Sequence, residues 1–318
     1  MLKISIIIPV YNRPDEIDEL LESLVLQTDK DFEIIVVEDG STLDSKHIID
    51  KYSGKLSIFY YFIPNSGAGQ ARNYGVERSN GEFVVIVDSD CILPTDYIAT
   101  IKKELGEQNV DVFGGPDKAL DSFTPIQKAI NYSMTSFLTT GGIRGSKKTI
   151  GKYYPRSFNM GISRTVFDTL HGFAPIRLAE DTDFSIRVYK EGYKVAFFES
   201  VYVYHKRRST FKTFYKQVNN FGTGRINLIK AYPNEIKIEY FFPALFLVFF
   251  ICSVLAAPWC IWGMLLILSY FSLIFITSTI KNKNIKVGGL SVITSFIQHT
   301  GYAIGFISNF WKRFILNK

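Results

Sequence analysis

Val84-Val85-Ile86-Val87-Asp88-Ser89-Asp90 is the stretch from which the rest of the chain can be read. An aliphatic run with no polar alternation is the pattern of a strand buried on both faces, as in a parallel sheet. It ends in two carboxylates separated by one residue. Ligands of open α/β sheets collect at the carboxyl ends of the strands. Side chains at i and i+2 of an extended segment share a face, so Asp88 and Asp90 are expected to converge on one hard cation, Mg2+ or Mn2+. A cation there would neutralise the charge that builds on a departing diphosphate. Asp-X-Asp alone is also a common solvated turn, and its position after the buried strand is what favours the metal.

Upstream of this stretch, short β-branched runs alternate with amphipathic ones, which predicts an α/β fold with a mainly parallel sheet. Ile4 to Val10, Phe32 to Val37 and Leu56 to Phe62 read as strands; Pro14 to Gln27, Asp44 to Tyr52 and Gly69 to Arg78 read as helices. Tyr11-Asn12 and Glu38-Asp39-Gly40 then lie at strand ends beside Asp88-Ser89-Asp90. Asp39 suits either an acceptor for a base N–H or an N-cap for the next helix. Gly67-Ala68-Gly69 opens a helix and places Arg72 where it can pair with phosphate or with Asp88.

Downstream, periodicity weakens from Phe113 to Arg156, with Gly114-Gly115-Pro116 and the basic Arg144, Lys147 and Lys148, and a short helix flanked by loops is expected there. Regular structure is expected to resume at Ser157 to Ile162, followed by helices over Arg164 to Leu170 and Asp181 to Glu191 and a strand over Lys194 to Phe198. Glu180, Asp181 and Asp183 sit at that helix's start, either as dipole-favoured acids or with one of them a general base. His205, followed by Lys206, Arg207 and Arg208, reads as a structural residue, a metal ligand or a phosphate contact.

The C-terminal part differs in kind. Tyr240 to Ala257 and Trp259 to Ile280 are apolar runs without a charged residue, broken by Pro258, and each is about long enough to span a bilayer. Basic flanks on both sides place the ends of this hairpin, and the catalytic region, in the cytoplasm of a multi-pass protein of the inner or plasma membrane. A third segment, Val287 to Phe310, either spans or lies at the interface. The expected domains are therefore 1–227 and a membrane region, 228–318. The formal net charge of +6 over 318 residues suits diphosphates beside an anionic membrane, and no nucleic-acid partner is expected. Cys91, Cys252 and Cys260 have no metal spacing and indicate no disulfide framework. The opening MLKISIIIPVYNRP lacks the cleavage site of a signal peptide and reads as a first strand.

Taken in order, Ser5-Ile-Ile-Ile-Pro-Val-Tyr-Asn12, Val37-Glu-Asp39-Gly-Ser41, Gly69-Gln-Ala-Arg72-Asn73, Val87-Asp88-Ser-Asp90, Gly172-Phe173, Glu180-Asp181 and His205 resemble the family 2 glycosyltransferases over roughly the first 225 residues. The resemblance implies a GT-A fold, a three-layer sandwich about a mixed, mainly parallel sheet, with C-terminal transmembrane helices of the polysaccharide-assembly type. It implies Pro9, Tyr11, Asp39, Arg72 and Asp88 at the donor nucleotide and its diphosphate, Asp88 and Asp90 at the metal, where the spacing of His205 makes it a further candidate, and Asn159 and Gly161 near the donor sugar. Asp181 is then the base of an inverting reaction, with Asp183 a second candidate for the same role, since the acidic cluster admits either register. The implied partners are a nucleotide-sugar donor, UDP-linked by family preference, and a lipid-linked or membrane-proximal glycan acceptor. Processive members carry Gln-X-X-Arg-Trp where this chain has Gln217-Val-Asn-Asn220-Phe221, which points to single transfers. A nucleotidyltransferase, or a non-catalytic scaffold on the same fold, would be the competing readings.

Overall fold

The computed structural model describes residues 2–141 and 152–316, so Arg144, Lys147 and Lys148 lie outside the described residues. In chain order the elements begin β1 (Ile4–Val10), α1 (Pro14–Val25), β2 (Phe32–Asp39), α2 (Lys46–Tyr52), β3 (Ile58–Ile63), α3 (Ala68–Glu77), β4 (Phe83–Val87), β5 (Cys91–Ile92), α4 (Tyr97–Glu107), β6 (Val112–Gly114) and β7 (Asp117–Lys118). They continue α5 (Pro125–Thr135), α6 (Phe137–Thr140), β8 (Asn159–Ser163), α7 (Arg164–Thr169), α8 (Glu180–Lys190), β9 (Val195–Phe197), β10 (Val203–His205), α9 (Phe211–Ala231), α10 (Phe242–Ala256), α11 (Trp262–Asn282) and α12 (Ile285–Phe310). Packing divides them into two compact units, one of residues 1–118 with 144–206 and one of 119–143 with 207–318.

The first unit is a three-layer sandwich. Among the described residues its main sheet has the order β3-β2-β1-β4-β8-β6-β9. Strands β1 to β4 run parallel, while β8 is antiparallel to both of its neighbours. Period-two alternation sorts β1 cleanly: Ile6 and Ile8 pack with α1, α2 and α4 on one face, and Ile7 packs with α3, α7 and α8 on the other. Each such fully buried side chain contributes about 1.5–3 kcal/mol relative to exposure. A small second sheet, β5-β10-β7, follows Asp90 directly. Its strands are too short for their periodicity to be read from sequence.

In the second unit, α9 and α12 cross with almost no space between their backbones. A Cβ at Gly222 would run into the Tyr302 carbonyl, and one at Gly305 into the Asn219 carbonyl. Helix α5 joins the same unit, its N-terminus closed by a Thr124–Gln127 capping box. The division therefore falls at Lys206 rather than near residue 227, because α9 is amphipathic and buries Phe214, Val218 and Ile226 within the second unit. The apolar segments differ from expectation too. Helix α10 has 15 residues, about 22 Å at helical rise, and the long helices are α11 and α12.

Gly161, in β8, is paired with Val85 and Phe113, and a Cβ there would enter the Phe113 ring. Gly161→Ala is expected to destabilise the first unit by about 1–3 kcal/mol through overpacking. The check is a urea unfolding curve, and an unchanged midpoint would contradict this packing.

Candidate active site

The C-terminal end of β4 delivers Asp88 and Asp90 to different partners. The Cys91 N–H bonds to the Asp88 carbonyl at 3.1 Å, so the chain turns at Ser89-Asp90 and is not extended there. The expectation that Asp88 and Asp90 share one cation assumed an extended segment and is corrected on this point.

Asp88 accepts from Arg72 at 3.0 Å, and Arg72 donates with its other terminal nitrogen to Glu180 at 2.7 Å. The guanidinium is buried and lies 5.6 Å from the centre of the Phe173 ring. Burial alone would lower the Arg72 pKa, but Asp88 and Glu180 outweigh it and raise it. Burial raises the Glu180 carboxyl against the pull of Arg72. One cation thus ties α3, the end of β4 and the start of α8. Asn73 adds to the tie, because its side-chain amide accepts from the Phe173 N–H and donates to the Phe173 carbonyl, both at 2.8 Å.

Asp90 stands among a different set. Arg13, two residues beyond Tyr11, donates to its Oδ2. His205, opposite Cys91 in the β10–β5 register, brings Nε2 to 3.1 Å from Oδ1 and holds Nδ1 3.5 Å from Asp117. Burial would raise the Asp90 carboxyl; His205 and Arg13 overcome that and hold it well below the usual carboxylate range.

Asp90 Oδ1 is buried and faces His205 Nε2, and ligand atoms of Asp90, Cys91 and His205 lie within 4.8 Å of one another. A carboxylate and an imidazole suit Mn2+, and Mg2+ draws mainly on oxygen. The Cys91 thiol is soft, fully buried and directed at the Phe158 carbonyl at 3.6 Å, which leaves Asp90 and His205 as the residues that fit a divalent cation. Sequence reasoning missed Arg13 and Asp117. The first was visible beside Tyr11-Asn12; the second lies in a strand of two residues and gave no signal.

The β1 and β2 loops are stitched together. Asn12, at φ 53°, accepts through its side chain from the Thr42 and Leu43 N–H groups and donates its own N–H to Ser41. Tyr11 is exposed and Pro9 half-buried. Asp39 does not cap α2. It accepts from the Ser66 and Gly67 N–H groups at 2.7 and 2.9 Å, the Ser66 hydroxyl and the Asn65 amide, and so fixes the entry to α3. With these four donors on one buried carboxylate, little acceptor capacity remains for a base N–H.

Asn159 is fully buried. It accepts from the Tyr97 hydroxyl at 2.7 Å and donates to the Val201 carbonyl at 2.8 Å. Together with Gly161 it belongs to the interior of the sheet, which corrects the expectation of donor-sugar contacts for both.

At the start of α8 the acids separate in role. Asp183 is buried and binds the Arg187 Nε at 2.9 Å, while Arg187 also donates to the Leu170 and Gly172 carbonyls. Asp181 accepts from the Thr182 N–H at 2.6 Å and lies 3.6 Å from Arg156. Ala179, just before, is held at φ 65°, a conformation that costs a non-glycine residue energy and sets the direction of the helix start.

The sequence profile described as "Glycosyl transferase family 2" matches residues 5–171. The chain belongs to that family. Among the relatives of this family 2 glycosyl transferase, Glycosyltransferase GlyA of Streptococcus pneumoniae is 39% identical over 114 residues, 36% of this chain and 16% of GlyA. Probable glycosyltransferase YdaM of Bacillus subtilis is 29% identical over 271 residues, 78% of this chain and 63% of YdaM. The chain therefore spans less than two thirds of the length of either. The mannosyltransferase PcManGT of Pyrobaculum calidifontis, solved with GDP-Man and Mn2+, superposes with a TM-score of 0.62 at 17% identity, over 98% of this chain and 87% of that one. The fold is GT-A.

Within this family 2 glycosyl transferase, Arg72→Met would leave Asp88 and Glu180 without their shared cation. The expected loss is about 3 kcal/mol, read from chemical unfolding, with Glu180→Gln in the same chain restoring part of it. An Arg72→Met protein as stable as the parent would contradict a structural role for this bridge.

Proposed function

We propose that the chain transfers single sugars from a nucleoside-diphosphate donor to a lipid-linked or membrane-proximal glycan, at the cytoplasmic face of the membrane, with inversion at the anomeric carbon. The observation that carries this is the cluster of Arg13, Asp90 and His205 at the end of β4, next in sequence to the Arg72–Asp88–Glu180 bridge. A diphosphate brings negative charge, and Arg13 supplies a cation at the site. Asp90 and His205 would hold Mg2+ or Mn2+, which when bound neutralises charge on the leaving diphosphate. UDP-sugars are the first donors to test, and GDP-sugars the second, since PcManGT was solved with GDP-Man.

Asp181 takes the role of base. It follows Glu180, which Arg72 anchors, so the bridge sets where α8 begins and where the Asp181 carboxylate stands. Arg156 and the Thr182 N–H orient it. As the acceptor hydroxyl attacks the anomeric carbon, its proton passes to Asp181, the bond to the diphosphate breaks, and the nucleoside diphosphate leaves. Asp183, committed to Arg187, is a poor second candidate. Phe221 and Asn220 in place of the Trp and Arg of processive members support one transfer per encounter. The α10–α11 hairpin, uncharged from Tyr240 to Ile280, supports membrane attachment.

Detergent-solubilised protein is expected to release nucleoside diphosphate from one donor of a panel, with membrane lipid extract as acceptor. Chelation should abolish release and Mn2+ restore it. Asp181→Asn should lower kcat by about 10²–10⁴-fold while donor affinity by calorimetry stays within about threefold. Normal turnover by Asp181→Asn would remove the base assignment. Asp90→Asn and His205→Ala are expected to weaken Mn2+ binding itself, measured without donor by electron paramagnetic resonance, and unchanged binding in both would move the metal elsewhere.

A further inference from the structure

We propose that Thr182 is a positioning residue for the transfer step: its hydroxyl, held by Arg156, fixes the rotation of the Asp181 carboxylate. This deepens the reading of Asp181 as the base and rests on it.

Helix α8 begins without a side-chain cap. The residue before it is Ala179, which offers no acceptor, so the first N–H groups of the helix must find partners elsewhere. The Thr182 N–H finds Asp181 Oδ1 at 2.6 Å. The Thr182 hydroxyl reaches the same oxygen at 3.2 Å and accepts from the Arg156 guanidinium, which itself stands 3.6 Å from Asp181 Oδ1. A hydroxyl has one proton to give and lone pairs to receive with. With the guanidinium donating to it, Thr182 therefore turns its proton to Asp181. A backbone N–H, a hydroxyl and a guanidinium converge on one carboxylate oxygen, and that convergence sets the plane of the group.

The place of Arg156 is set from the same helix. Thr182, Ser185 and Tyr189 are spaced i, i+3 and i+7, which puts them on one face of α8. The Tyr189 hydroxyl donates to the Tyr153 carbonyl at 2.7 Å. The Ser185 hydroxyl shares its proton between the Pro155 carbonyl at 3.1 Å and the Asp181 carbonyl at 2.9 Å. Thr182 then takes the Arg156 N–H, so a row of three hydroxyls holds residues 153–156 against the start of the helix. Thr182 and Ser185 are both buried. The Arg156 Nε is buried too and has no hydrogen-bond partner among the described residues, so the guanidinium is steered through its terminal nitrogen on Thr182.

The two devices at this helix start are complementary. Arg72, through Glu180, fixes where α8 begins; Thr182 fixes how the next carboxylate is turned. A base that is already oriented need not be ordered as the acceptor hydroxyl attacks, so the benefit falls on kcat and leaves donor binding alone.

The test removes the two parts of the Thr182 side chain separately, in the full chain. Nucleoside diphosphate release is read from the donor that the parent turns over, with membrane lipid extract as acceptor. Thr182→Val removes the hydroxyl and is expected to lower kcat about tenfold or more, with donor KM near that of the parent. Thr182→Ser keeps the hydroxyl, removes the methyl group and is expected to retain most of kcat. The opposite order, with Thr182→Ser the slower enzyme, is what packing alone would give and would overturn the inference. Should Thr182→Val not fold, Thr182→Ser against Thr182→Ala reads the hydroxyl at equal packing, and equal kcat in those two would overturn it as well. Arg156→Met is expected to lower kcat in the parent and much less in Thr182→Val; fully additive losses would remove Arg156 from the arrangement. Asp181→Asn keeps the two readings apart. Normal turnover by it removes the base assignment, whereas an inactive Asp181→Asn beside a Thr182→Val as fast as the parent overturns this inference alone.

Discussion

The buried Arg72 guanidinium is the constraint on which the first unit depends. It is the only group described at the site that touches α3, the end of β4 and the start of α8 together, through Asp88 and Glu180. Its cost is desolvation of a cation, and its two carboxylates offset that cost only while both remain in place. This makes the bridge a positional device. The strand end carrying Asp88 and Asp90 and the helix start carrying Asp181 cannot drift apart without leaving a charge unpaired.

Around that bridge the remaining polar groups divide into framework and working parts. Asp39, Asn73 and Asn159 are spent on backbone: the entry to α3, the Phe173 loop and the Val201 carbonyl. Arg13, Asp90 and His205 are arranged differently, with a carboxylate facing both a guanidinium and an imidazole, and the imidazole steered from behind by Asp117. A histidine whose second nitrogen faces a carboxylate is the usual way of fixing a ligand's orientation. The first group explains why the loops hold their shape, and the second what they hold it for.

Much of this was legible because parallel strands advertise themselves. The runs at Ile4 to Val10, Ile34 to Val37 and Val84 to Val87 have no polar alternation, and their C-terminal ends mark the site by topology alone. What stayed hidden follows from length and direction. Strands β5, β7 and β10 are two or three residues long, too short to show a period, so the small sheet that presents His205 to Asp90 was not foreseen. The turn at Ser89-Asp90 sends the paired carboxylates to separate partners, which spacing cannot reveal. Asn159 and Gly161 were placed correctly along the chain, but only packing shows that one is engaged by Tyr97 and the other makes room for Phe113. In α12, hydropathy reports composition, whereas Ser291, Thr294, Ser295 and Asn309 form the buried face toward other helices of this chain.

The central claim is that Asp90 and His205 hold the cation that accompanies a nucleoside diphosphate. Anomalous diffraction from crystals grown with Mn2+ and a nucleoside diphosphate tests it most directly. A manganese peak bound by Asp90 and His205, with Asp88 still on Arg72, is the predicted result. Diphosphate density with no manganese at Asp90, or with the ion held by Asp88 after Arg72 has let go, would contradict it.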